Sequence, residues 1–339
     1  SILGVLGGIA AGGIIARFGA RRMLLCGLLA TALGTAAGAL APGYGVLLAT
    51  RVVEGLGFLL ITVAGPAALQ RIVLPSSRDL AFALWSCYMP TGMAVAMLAS
   101  QAFGDWHAYW WCAGAAVLVA LACVAALAPA TPGGKGLSWA GLRQDTTDTL
   151  GAAGPMLLAA SFTLYSLMFF ALFTFLPVLL MDKLGLPLAT AGLYSAAASA
   201  ANIIGNLGAG VLLSRGWRRS TLIACASAAM GVVALLIFRS VFPAMPTFLL
   251  CVLFSAVGGL IPATLLGTAP LVAPRPALTA SAVGLVMMGS NLGQVIGPVT
   301  VGGVIDRYGW AQASLIVAAA ALGGVFIAWR LRRLGGAGL

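Results

Sequence analysis

The sequence predicts an all-α, polytopic membrane protein. Three observations predict it: the composition, the length of the apolar runs, and a one-sided distribution of charge. Of 339 residues, 61% are hydrophobic and 7% are charged, with a mean hydropathy of +1.07. A soluble domain carries about 25% charged residues, so this chain cannot cover itself with a water-facing surface. In lipid every backbone polar group must be satisfied within the structure, which leaves helices or closed barrels. The apolar runs here are about 18–30 residues long, where barrel strands would alternate over about ten, so they predict helices.

Turn residues and charges separate about eleven expected spans. They lie near 1–16, 23–41, 45–70, 79–103, 109–130, 152–181, 188–213, 220–238, 247–272, 277–305 and 312–330. Alternate loops and the tail hold Arg17, Arg21, Arg22, Arg71, Arg78, Lys135, Arg143, Arg215, Arg218, Arg219, Arg275, Arg330, Arg332 and Arg333. The opposite loops hold only Lys183, Arg239 and Arg307, and Arg51 lies inside a span. Positive residues are retained on the cytoplasmic side. The bias therefore predicts a multi-pass inner (plasma) membrane protein with a cytoplasmic C-terminus and Ser1 outside. The net charge of +11 reads as membrane orientation, with no nucleic-acid partner.

The longest loop is TPGGKGLSWAGLRQDTTDTL, residues 131–150. Its Gly, Ser and Thr content predicts a cytoplasmic linker between five spans in 1–130 and six in 151–339. The two parts share a repeat. Gly12-Gly13-Ile14-Ile15-Ala16-Arg17-Phe18-Gly19-Ala20-Arg21-Arg22 is echoed by Gly210-Val211-Leu212-Leu213-Ser214-Arg215-Gly216-Trp217-Arg218-Arg219. Both fall in loops predicted to face the cytoplasm, so the repeat is parallel. If the halves are equivalent, the first lacks the helix that should precede Ser1. The chain opens inside an apolar run without a methionine or a basic leader, which fits that expectation.

These features resemble the major facilitator superfamily of transporters, whose fold packs twelve helices in two six-helix bundles with substrate between them. Its loop motif reads Gly-x-x-x-Asp-Arg-x-Gly-Arg-Arg/Lys. Gly12, Arg17, Gly19, Arg21 and Arg22 match it with the last basic pair displaced by one, while Ala16 and Ser214 stand where the family has Asp. Arg51, Gly55 and Gly57 resemble the Arg-x-x-x-Gly-x-Gly of the fourth helix in proton-coupled members. GSNLGQVIGPVTVGG resembles a Gly-Pro-x-x-x-Gly-Gly bend. FTLYSLMFFALFTFLPVLL and AANIIGNLGAG are similar to the cyanate-transporter-like branch, and the helix arginines of nitrate transporters are absent. The resemblance implies a secondary active transporter working by alternating access, as a monomer, with a small-molecule substrate and proton coupling.

Charges inside a bilayer are costly and mark function by default. Arg51 and Glu54 are three apart, so they share a helix face. They are candidates for binding an anionic group or carrying a proton, the alternative being an internal pair that only locks packing. Tyr88, Tyr165, Asn202, Asn206, Asn291 and Gln294 could line a cavity or serve as glue between helices. Phe169, Phe170 and Phe173 read as core or lipid-facing. Pro90, Pro177, Pro262 and Pro298 lie inside spans, and Pro90 and Pro298 are candidate bends. One buried Arg and no unpaired buried acid lean toward a small organic or anionic solute.

Six cysteines all fall in apolar runs with no Cys-x-x-Cys spacing and read as buried apolar groups. With one histidine, His107, no metal site is expected. No phosphate-binding glycine loop, catalytic constellation or cofactor motif is visible, so neither an ATP-driven pump nor an enzyme is expected. A drug or metabolite efflux antiporter of the same fold, and a fragment unable to transport, stay open as alternatives. With Ala16 uncharged, Arg17 is expected to lack its usual loop partner, and Asp79 is the acid to check first.

Overall fold

The computed structural model describes residues 1–130, 133 and 139–334, and gives only the backbone at 101, 139, 183 and 184. Lys135 and part of the expected linker fall outside the described residues. Among the described residues the chain is helical with no strand. Ten helical stretches are long and apolar enough to cross a membrane, and an eleventh, α1 (Ile2–Phe18), is apolar but shorter. Each expected span coincides with one of these eleven.

The first helices are continuous: α2 (Ala20–Ala39), α3 (Tyr44–Ile72) and, further on, α6 (Trp106–Leu127). Tight turns between them rest on glycine. Gly19 takes φ 91°, where a Cβ would be strained, and sets α1 against the start of α2. Three of the expected spans are each broken into two helices. They are α4 (Arg78–Ser86) with α5 (Tyr88–Ala102), α8 (Ala153–Phe173) with α9 (Leu176–Leu184), and α12 (Ala244–Gly258) with α13 (Leu260–Thr268). In each, a proline sits in the first turn after the break: Pro90, Pro177 and Pro262. A proline lacks the N–H its predecessor turn needs and crowds the carbonyl four residues back, so the helix restarts there. Pro298 instead lies within the unbroken α14 (Thr279–Tyr308). The remaining spans are α10 (Leu188–Ser214), α11 (Arg219–Phe238) and α15 (Trp310–Arg333).

The sequence reading missed one element. Within the expected linker, α7 (Trp139–Gly151) is a helix. Its apolar content is too low to cross a membrane, but it is regular, with threonine side chains bonded back to carbonyls a turn earlier.

Two compact units emerge, and neither is one half of the sequence. The first holds 1–73, 99–156 and 269–288, and the second holds 74–98, 157–268 and 289–339. In the first, α2 packs on α3 and α6, α1 packs on α3 and α7, and Gly8 and Gly284 bring α1 and α14 into backbone contact. In the second, α10 packs on α4, α12 and α13, and α11 packs on α12, α13 and α15. Its small-residue core includes Ala83, Ala209 and Ala263. Only 6% of the apolar window of α6 is buried, against 61% of that spanning α12 and α13. The exposed Leu, Val and Trp side chains of α6 suit a lipid solvent.

Candidate functional site

A narrow, mostly apolar slot with a few polar groups lies inside the second unit, where the breaks of α4–α5 and α12–α13 meet α8, α10 and α14. Its volume is about 40 Å³, room for two or three waters. Residues 162, 165, 166, 169 and 170 of α8 line it, a spacing that places them on one helical face. Ser86, Tyr88, Met89 and Pro90 enter from the α4–α5 break, Asn202 from α10, Pro262 and Leu266 from α13, and Ser290 and Gln294 from α14.

Two hydrogen-bonded groups furnish its polarity. Asn202 Nδ2 donates to the Tyr165 hydroxyl oxygen at 3.2 Å and to the Ser255 carbonyl at 2.9 Å. Asn206, one turn along, donates to both the carbonyl and the Oδ1 of Asn202, at 3.0 and 2.8 Å. It therefore fixes the amide of Asn202 and does not line the slot. Across from them, the Ser166 and Ser290 hydroxyls bond each other at 3.1 Å, and Gln294 Nε2 donates to Ser290 Oγ at 3.3 Å. Phe169 stacks on Phe173 with centroids 4.3 Å apart.

The slot thus gathers Tyr88, Tyr165, Asn202, Gln294 and Pro90 from the residues expected by sequence. Asn206 stands behind Asn202, and Asn291 is buried outside the lining. Phe169 and Phe170 line it, and Phe173 is packed behind. Sequence reasoning missed Ser86, Ser166 and Ser290. Serine is common inside helical spans, so only the four-residue step from Ser290 to Gln294 could have signalled them.

Arg51 and Glu54 belong to the first unit and are paired with each other on α3. Thr35 Oγ1 donates to Glu54 Oε1 at 2.7 Å, and the Arg51 guanidinium lies 4.2 Å from the centroid of Trp110. Gly34 and Gly38 of α2 make the room: a Cβ on either would collide with Glu54 or Arg51. The side chains are 36% and 19% exposed. Arg51 is engaged on two sides, by Glu54 and by Trp110.

At the arginine-rich end the expectation for Arg17 is wrong. Arg17 Nη2 meets Asp145 Oδ2 at 3.1 Å, and Asp79 pairs with Arg219 at 2.6 Å instead. The physical reason is α7. It carries Asp145 and Asp148 three residues apart on one face, and that face reaches Arg17 and also Arg275, which pairs with Asp148 and lies 3.8 Å from Asp145. Of the other motif residues, Arg21 donates to the Ala125 carbonyl at 2.6 Å. Arg22, Arg215 and Arg218 are exposed, and Gly12 lies against the backbone of Ala280 and Ser281. Ser214 bonds its own helix at the Val211 carbonyl. Ala16 borders a cavity of about 450 Å³ with Gln70, Arg71 and Thr279. At the other end of α6, Asp105 caps the helix through the His107 N–H at 3.1 Å. The His107 side chain beside it, and then that N–H, hold its carboxyl below the usual carboxylate range.

The sequence profile described as Major Facilitator Superfamily matches residues 1–281. The fold is similar to the human organic anion transporter MFSD10 (TETRAN), with a TM-score of 0.83 at 16% identity over 96% of this chain and 81% of that one. It is also similar to the E. coli fucose:proton symporter FucP, with a TM-score of 0.76 at 15% identity over 96% and 87%. Among curated proteins, none matches the sequence.

Proposed function

The chain belongs to the Major Facilitator Superfamily, and on that premise we propose that it is a secondary active transporter of a small organic solute. The observation that carries this reading is the slot at the helix breaks of the second unit, with its few hydrogen-bonding groups. Broken helices in a membrane are tolerated where they line a cavity, and they are where transporters of inverted or parallel repeat build their sites. Alternating access would open the slot to each side in turn. The repeat at 12–22 and 210–219 supports reading 1–130 and 151–339 as the two moving bundles around the 131–150 linker. The stretches at 162–180 and 200–210 support the cyanate-transporter-like branch.

Proton coupling is assigned to Glu54, held by Arg51 and Thr35. The likeness to a fucose:proton symporter supports this mode of drive, and the likeness to the organic anion transporter MFSD10 supports an organic solute. The bias of arginines supports a plasma membrane with the arginine-rich loops and C-terminus cytoplasmic. A monomer suffices for this cycle.

The test is access from both sides. In a chain with its six cysteines replaced, Ser290→Cys should react with an impermeant thiol reagent applied from either face of oriented vesicles. Reaction from one face alone, at saturating exposure, would refute alternating access. Separately, Glu54→Gln should abolish pH-driven accumulation, and full accumulation by that variant would remove Glu54 from the coupling.

A further inference from the structure

The slot holds no formal charge. Among the described residues no Lys, Arg, His, Asp or Glu lines it. Its polar groups are hydroxyls and amides, each able to donate and accept. The Tyr165 oxygen accepts from Asn202, which leaves its O–H to donate. The Ser166–Ser290 bond can run in either direction, so that pair can offer a donor or an acceptor without breaking. Such a site has no fixed sign, and it suits a solute that both donates and accepts.

The two charges deep within a span bring no counter-charge to spare. Arg51 and Glu54 neutralise each other, Thr35 takes an oxygen of Glu54, and Trp110 covers the guanidinium. An ionised solute would leave water for a site without an opposite charge, and unpaired charge in a low-dielectric interior is strongly disfavoured. One wall of the slot is aromatic. Phe162, Tyr165 and Phe169 follow one another along α8 with centroids 5.9 and 5.8 Å apart and rings tilted by 43° and 31°, and Phe173 stacks on Phe169 behind the lining. At about 40 Å³ the slot is closed down to water size, so admitting a ring requires the half-buried side chains of Tyr88, Phe170 and Gln294 to move.

We propose, resting on the transporter reading above, that this slot selects an uncharged, flat organic solute bearing both a hydrogen-bond donor and an acceptor, and rejects ionised molecules of the same shape. MFSD10 is an organic anion transporter, whereas the lining of this slot holds no cation that would favour an anion.

The experiment uses three isosteres of one shape and three charges: benzamide, benzoate and benzamidinium. Binding to the full chain in nanodiscs is measured by calorimetry. Benzamide should bind at least about tenfold tighter than either ion, and Tyr165→Phe should weaken benzamide by about tenfold, the loss of one buried hydrogen bond. Benzoate binding as well as benzamide would overturn the proposal. So would benzamide binding that Tyr165→Phe leaves unchanged, or no binding by any of the three up to solubility. Benzoate binding abolished by Arg51→Ala would overturn it and move the solute to α3. The two-sided labelling of Ser290→Cys separates the failures. Reaction from one face with benzamide selectivity intact sinks transport and keeps a neutral-ligand site. Reaction from both faces with benzoate preferred keeps transport and sinks the neutral solute.

Discussion

Replacing Asp145 by asparagine removes the charge that α7 places between Arg17 and Arg275. The size of the effect follows from the geometry. Arg17 and Asp145 are 3.1 Å apart, with side chains 15% and 28% exposed. At an effective dielectric constant of about 20 the bare attraction is about 5 kcal/mol, most of it offset by desolvation and side-chain ordering. Exposed pairs retain about 0.2–1 kcal/mol, while breaking a buried one costs about 3–5 kcal/mol, so this half-buried pair should be worth about 1–2 kcal/mol. Arg275 adds less, because it is 54% exposed and keeps Asp148. The expected result is amide hydrogen exchange in α7 about 5–30-fold faster in Asp145→Asn than in the wild type. Raising ionic strength to about 1 M shortens the Debye length to about 3 Å and should speed the wild type toward the variant, with little change in the variant itself. Exchange that is equal in both proteins, or equally salt-sensitive, would refute the ion pair as what holds α7 in place.

Other outcomes follow from the same structure. In Gly34→Val the added Cβ would come within 2.6 Å of Glu54 Cγ, and such overpacking costs about 1–3 kcal/mol. A lowered melting temperature is expected, and an unchanged one would mean that α2 and α3 can part without loss. Asn202→Leu removes the donor to Tyr165 and Ser255 and leaves the Asn206 amide only the carbonyl of residue 202, costing about 1–3 kcal/mol, which thermal melts of purified protein can read. At the start of α6, the carboxyl of Asp105 is depressed in the folded chain by the His107 side chain and N–H. The cap is therefore fully present above the ordinary carboxylate range and is lost as pH falls through the depressed value. Protection of the His107 amide should fall in acid for the wild type and be low at all pH values in Asp105→Ala; a pH-independent wild type would contradict the cap.

The spans were legible because lipid leaves few options: a long apolar run must satisfy its own backbone, and each of the eleven did so as helix. The prolines were legible as bends, yet Pro90 and Pro298 have the same signal and different outcomes, a restart of the helix in one and an unbroken helix in the other. Local sequence does not record whether neighbouring helices hold the chain straight. Half the slot was legible because Tyr, Asn and Gln are rare in such runs. Ser166 and Ser290 were hidden among serines that bond their own helix, as Ser195 and Ser214 do, and Ser86 is itself one of those. The linker helix was missed because its polar, glycine-led surroundings carry no apolar period, and its stability comes from Arg17 and Arg275, which lie far away in sequence.

That distance has a consequence of its own. In the loop motif the acid sits beside its arginine, and their meeting is a matter of local geometry. Here the partner of Arg17 arrives from 128 residues away, at the far end of the connection between Leu127 and Trp139. The strength of the contact then depends on how firmly α7 packs on α1, because the two members of the pair ride on separate helices. Substitutions in that helix contact that touch neither charge should tune the arginine-rich end as surely as changes of charge.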